Sequence, residues 1–144
     1  MKFWSINVAL MTLFACEALA DHELRQGDIR QGQRLYMEYC ASCHGADLKG
    51  QENWRSTKAD DTLPAPPHDE TGHTWHHDSK FLFSYTKLGG AEVTDRLGIQ
   101  NFKSGMPGFS NLLNDKEIWN ILAFIYSRWP KRIQEIQDSR NPAH

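Results

Sequence analysis

The sequence predicts a small, all-helical domain, and three observations carry that prediction. Several segments place apolar residues at steps of three and four, residues that start and stop helices flank those segments, and no stretch alternates as a strand does. The chain has 144 residues, 40% hydrophobic and 11% aromatic. That is enough for one core, yet a chain this short buries a modest share of its surface and often leans on a staple or cofactor. Sixteen Lys and Arg stand against eighteen Asp and Glu, a formal charge of -2. Neither a basic nucleic-acid face nor an acidic tail is suggested.

The elements follow in order. Lys2 opens a short positive start, the stretch from Phe3 to Ala15 is mostly apolar, and Ala18-Leu19-Ala20 is a small-x-small cleavage site. Residues 1–20 therefore read as a secretory signal peptide and 21–144 as one exported domain. A membrane anchor would need about 20 apolar residues, and Ser5, Asn7, Thr12 and Glu17 interrupt the run. The alternative is a lipid anchor, since Leu13-Phe14-Ala15-Cys16 loosely resembles a lipoprotein box. No other segment spans a bilayer, so the mature chain reads as soluble.

From Asp28 to Tyr39 there is no proline, and Ile29, Gly32, Leu35, Tyr36 and Tyr39 share one helical face. Gly32 costs roughly 1 kcal/mol relative to alanine inside a helix, which points to another helix lying close against it. Residues 45–67 are polar and turn-rich, and Leu63-Pro64-Ala65-Pro66-Pro67 holds only an extended or turning path. Asp78 caps a helix through Leu88, and Gly89-Gly90 stops it. Val93 to Leu97 adds a turn. Asn114-Asp115-Lys116-Glu117 resembles a capping box, and the helix it opens runs to Trp129 before Pro130. The apolar side chains of that helix cover more than half its circumference, so it is buried on two sides, with Ile121 and Phe124 opposite Gly32 and Tyr36. Residues 131–144 read as a short helix that frays.

The chemistry starts from the cysteines. Cys16 lies in the leader, leaving Cys40 and Cys43. A disulfide across so short a loop constrains little of the unfolded chain. A redox dithiol lacks a βαβ context, and a zinc site lacks two further ligands. The run Cys40-Ala41-Ser42-Cys43-His44 is instead the attachment sequence for covalently bound c-type haem. Each thiol adds to a vinyl group, and the adjacent imidazole of His44 falls under the iron. A sixth ligand has two candidates, Met37 and Met106. Met37 lies one turn before Cys40 on the attachment segment and does not reach the opposite face. Met106, in Gly105-Met106-Pro107-Gly108, sits on a loop able to bring backbone close to a flat cofactor. One carbonyl of the proline stretch is expected to accept the hydrogen bond of the other ring nitrogen of His44.

Gly32, Leu35, Tyr36, Cys40 to His44, the Met106-Pro107 loop and the Trp-containing terminal helix together resemble the small single-haem class I cytochromes c. The resemblance implies an all-α cytochrome c fold, three to five helices around one haem, with the amino- and carboxy-terminal helices crossed. It also implies His44/Met106 ligation, one-electron transfer with no substrate bound, and haem attachment outside the cytoplasm. The run from Pro66 to His77 looks like a subgroup of bacterial exported monohaem cytochromes, which favours the periplasm. Partners are then redox proteins, a donor and an acceptor, met as a monomer in transient complexes. Other readings stay open: a haem subunit docked in a larger redox complex, favoured if Trp119 or Tyr126 is exposed, or a ligand-binding or catalytic haem with displaceable Met106. His68, His73, His76 and His77 read either as a copper or zinc cluster or as hydrogen-bonding groups around the haem propionates, with Trp54 and Trp75 as further donors. Phe109, Phe124 and the tryptophans are expected to form an apolar shell that raises the potential. Lys49, Lys80, Lys87 and Lys103 read as ordinary solvated surface.

Overall fold

A computed structural model describes residues 23–141. The leader and Cys16 lie outside them. Seven α-helices occur among the described residues: α1 (Glu23–Gln26), α2 (Ile29–Tyr39), α3 (Ala41–His44), α4 (Ser79–Leu88), α5 (Gly90–Arg96), α6 (Asp115–Ser127) and α7 (Lys131–Asp138), with one 3-10 turn at Thr74–His76. The three long predicted helices start where their caps direct. Asp28 accepts from the Gln31 amide, Asp78 from the Phe81 amide, and Asn114 with Glu117 forms a complete capping box.

The core is organised by the crossing of α2 with α6. Ile118 and every residue from Asn120 to Tyr126 are buried, so α6 is enclosed on more than one face, as its wide apolar arc predicts. On one side, a Cβ at Gly32 would lie 1.9 Å from the Asn120 carbonyl oxygen and 3.0 Å from the Phe124 Cβ. Only glycine permits so close a backbone approach. The rings of Tyr36 and Phe124 then meet at 5.3 Å. Phe124 is opposite Gly32 as expected, but the polar Asn120, rather than Ile121, sits at the crossing. Buried Asn120 is paired there through both ends of its side chain: its Oδ1 accepts from the Asp28 amide at 2.8 Å and its Nδ2 donates to the Gln31 side chain at 2.9 Å. On another side, Trp119 stacks on Phe83 of α4 at 4.6 Å.

The chain end holds the short helix expected there, α7, which ends at Asp138 and is docked on its neighbours: Ile133 and Gln137 are buried. Gln137 donates to the Ser79 hydroxyl at 3.2 Å and to the His77 carbonyl at 3.3 Å, while Tyr126 donates to Asp138, which also pairs with Arg25. An amphipathic segment too short to hold itself as a helix is held by what it docks on.

Candidate functional site

Helix α2 delivers Cys40, and the single turn α3 delivers Cys43 and His44. Cys40 still donates its amide to the Tyr36 carbonyl at 2.9 Å, and Gly45, at φ 80°, ends α3. The two thiols are unbridged, Cys40 buried and Cys43 exposed. Burial, with the neighbouring Cys43, pushes the Cys40 thiol up to about 12. It is a protonated thiol, not a thiolate.

His44 is 6% exposed, and its Nδ1 lies 2.8 Å from the Pro66 carbonyl oxygen. A carbonyl only accepts, so Nδ1 carries the proton and Nε2 keeps its lone pair. Burial pushes the imidazole below its ordinary pKa, against the Pro66 hydrogen bond, which raises it. The ring is neutral. The expected carbonyl is thus Pro66, presented because the loop folds flat onto the proline stretch. Gly50 donates to the His44 carbonyl at 2.8 Å, Gln51 donates to Ala65 at 2.9 Å, and a Cβ at Gly50 would meet the Ala65 to Pro67 backbone at 2.6 Å.

Met106 is half-buried, and its backbone is fixed from two directions. Its carbonyl accepts from the Gly90 amide at 3.0 Å, and its own amide donates to the Ser104 hydroxyl at 3.2 Å. Ser104 in turn accepts from the Tyr85 hydroxyl at 2.8 Å. Beyond Met106 the loop lies against the end of α4: the Phe109 amide reaches the Thr86 and Lys87 carbonyls, and a Cβ at Gly108 would lie 2.6 Å from the Leu88 backbone. Met37, set aside from sequence, is half exposed on α2. The segments bearing His44's partner and Met106 meet at an isolated parallel bridge between Thr62 and Lys103, where the Lys103 ammonium donates to the Asp60 carbonyl at 2.8 Å.

The four histidines do not converge as a metal cluster. Among the described residues no three or more His, Cys, Asp or Glu side chains gather as a metal site. His76 lies on Trp75, His77 on Phe81 and His73 on Trp54, with His73 and His77 edge to face at 5.5 Å. His68 stands apart, stacked on His44. Trp75, expected as a donor to the haem propionates, gives its indole N–H to the Glu70 carbonyl at 3.3 Å. Trp54 is covered by the Arg55 guanidinium on its ring face. Tyr126 is buried and Trp119 half-buried.

Sequence reasoning missed Gly50, Ser104, Tyr85 and the stacking of His68. Only the paired Gly89-Gly90, already read as a helix stop, carried a trace of the close approach the methionine loop makes there.

Two thiols, a neutral imidazole with an available Nε2 and a thioether on an anchored loop form a donor set that fits a covalently held haem. Fold and donor set together define a small helical protein that carries the groups a covalent haem needs. The cytochrome c family model matches residues 29–129, and the chain belongs to the cytochrome c family. Membership implies a haem-based electron carrier with haem c as its cofactor. No curated protein and no solved structure matches the chain.

Proposed function

We propose that the protein is a periplasmic one-electron carrier whose haem is attached through Cys40 and Cys43 and ligated by His44 and Met106. The observation that carries this reading is the His44 to Pro66 hydrogen bond, which fixes the tautomer with Nε2 open beside two unbridged thiols. When bound, haem supplies a reversible Fe(III)/Fe(II) couple. The chain's residues do the rest. Pro66 strengthens His44 as a donor through the shared proton, and the Gly90, Ser104 and Tyr85 contacts hold the Met106 loop in place without using its sulfur. Phe124, Leu82 and Ile121 belong to the buried core, and apolar side chains that exclude water from a haem disfavour the more charged ferric state. Catalytic acids and bases have no part in this reaction.

Export is supported by the leader-like first twenty residues. The test is the optical spectrum of the oxidised protein purified after export with haem-maturation machinery. A low-spin spectrum with the far-red band of methionine sulfur on ferric haem is expected. A high-spin spectrum without that band would replace the carrier with a ligand-binding or catalytic haem protein.

A further inference from the structure

The proximal imidazole has a second contact besides Pro66. The rings of His68 and His44 are face to face, 3.9 Å apart between centroids and inclined by 17°. His68 is itself held on several sides. Its amide donates to the Leu48 carbonyl at 2.7 Å, its carbonyl accepts from the Trp129 indole at 2.7 Å, and Tyr36 meets its ring edge to face at 5.9 Å. Its Nδ1 is buried and has no partner among the described residues. An imidazole that anchored itself through its nitrogens would have one. The contact this side chain makes is therefore through its ring face.

The two constraints on His44 act in different directions. The Pro66 hydrogen bond lies in the ring plane, and hydrogen bonds tolerate tens of degrees of swing. A flat ring packed on one face resists that swing, because rotation would drive the rings together on one side and open a gap on the other. We propose that His68 is a positioning residue that sets the plane of the His44 imidazole by stacking on it, while the α6 end, through Trp129, holds His68 in place. The proposal rests on His44 being the proximal ligand. The plane of an axial imidazole about the iron–nitrogen bond governs how unequally the two ferric orbitals that meet it are filled, so the stack is a setting of the redox centre's electronic structure.

The test compares the haem-loaded wild type with His68→Leu and His68→Phe by low-temperature electron paramagnetic resonance and by proton NMR of the ferric haem methyl groups. Leucine fills a similar volume without a flat face; phenylalanine restores the face without the nitrogens. His68→Leu is expected to shift the largest g value and change the spread of methyl shifts, with low-spin ligation retained, and His68→Phe is expected to stay close to wild type. If His68→Leu does not accumulate with haem, His68→Gln, which also lacks a ring, takes its place. Spectra of the ringless variant that match wild type would overturn the proposal. So would equal changes in the ringless and phenylalanine variants, which would show that the ring face is not what matters. Failure of the underlying ligation reading is separate: it appears in the wild type itself, as a spectrum that is not low-spin.

Discussion

The two sides of the site are built differently. The His44 side is enclosed: His44 and Cys40 are buried, and the segment is tied to α2 by Tyr36, to the proline stretch by Pro66 and to the end of α6 by Trp129 through His68. The Met106 side is tied mainly by backbone hydrogen bonds to one corner, between α4 and α5. The stretch leading to it exposes Leu97, Ile99 and Phe102, at 58%, 47% and 41%. Segments with few buried apolar contacts open at lower free energy than the core. One ligand is thus part of the fold's core, and the other is held by a loop that can change without unfolding the rest.

The sharpest break of that contrast is at the helix crossing. Gly32→Val forces a side chain against the Asn120 backbone and is expected to cost about 3 kcal/mol or more, read as a lowered denaturant midpoint with the far-red ligation band lost in the same transition. A midpoint near wild type would show that the crossing is not the anchor of the His44 side. Met106→Ala acts on the other region. It is expected to abolish the far-red band and lower the potential by at least about 59 mV, one tenfold step for a single electron, while the unfolding midpoint stays near wild type. An unchanged potential would remove Met106 from the ligand set.

Smaller changes sharpen the comparison. Tyr85→Phe removes the hydroxyl that donates to Ser104, a loss of about 1 kcal/mol confined to the loop. Added imidazole should then displace Met106 roughly five-fold more readily while the far-red band of the resting protein persists, as a titration would record. The mildest effect concerns the stacked rings of His73 and His77. Burial, first, and repulsion from neighbouring imidazoles hold His73 and His77 below their ordinary pKa, with Arg55 and Arg140 acting the same way and Asp78 opposing at His77. Unfolding returns both to about 6.5, so the unfolded chain binds protons that the native chain refuses. Their contribution is present above that value and is lost as pH falls through it toward the native pKa. Denaturant midpoints should decline from pH 7 to pH 5, and less so in the His73→Asn, His77→Asn double variant.

Much of the fold was legible because its signals are local. Asp28, Asp78 and Asn114 cap backbone amides two or three residues on, and Pro130 ends a helix by its own covalent geometry. The attachment run is legible for the same reason, since its spacing is a property of five consecutive residues. Asn120 was not, because a polar residue in an apolar arc gives no sign of which distant amide it serves. Nor was the docking of α7, where Gln137 reaches Ser79 and His77 from some sixty positions away. Nor was the partner of Trp75, although its indole N–H meets the Glu70 carbonyl only five residues back.

The sequence by itself determined the helix starts and stops, the need for a close crossing at Gly32, the candidate set Cys40, Cys43, His44 and Met106, and the expectation that a proline-stretch carbonyl would orient His44. All of these depend on neighbours along the chain or on one residue's own stereochemistry. Only the tertiary structure decided that Pro66 is that carbonyl, that Asn120 fills the crossing, that Ser104 and Tyr85 hold the methionine loop, and that His68 lies on His44. Those choices are pairings across long stretches of chain. They are selected by which groups the packed helices bring within hydrogen-bond or van der Waals reach, which no local pattern encodes.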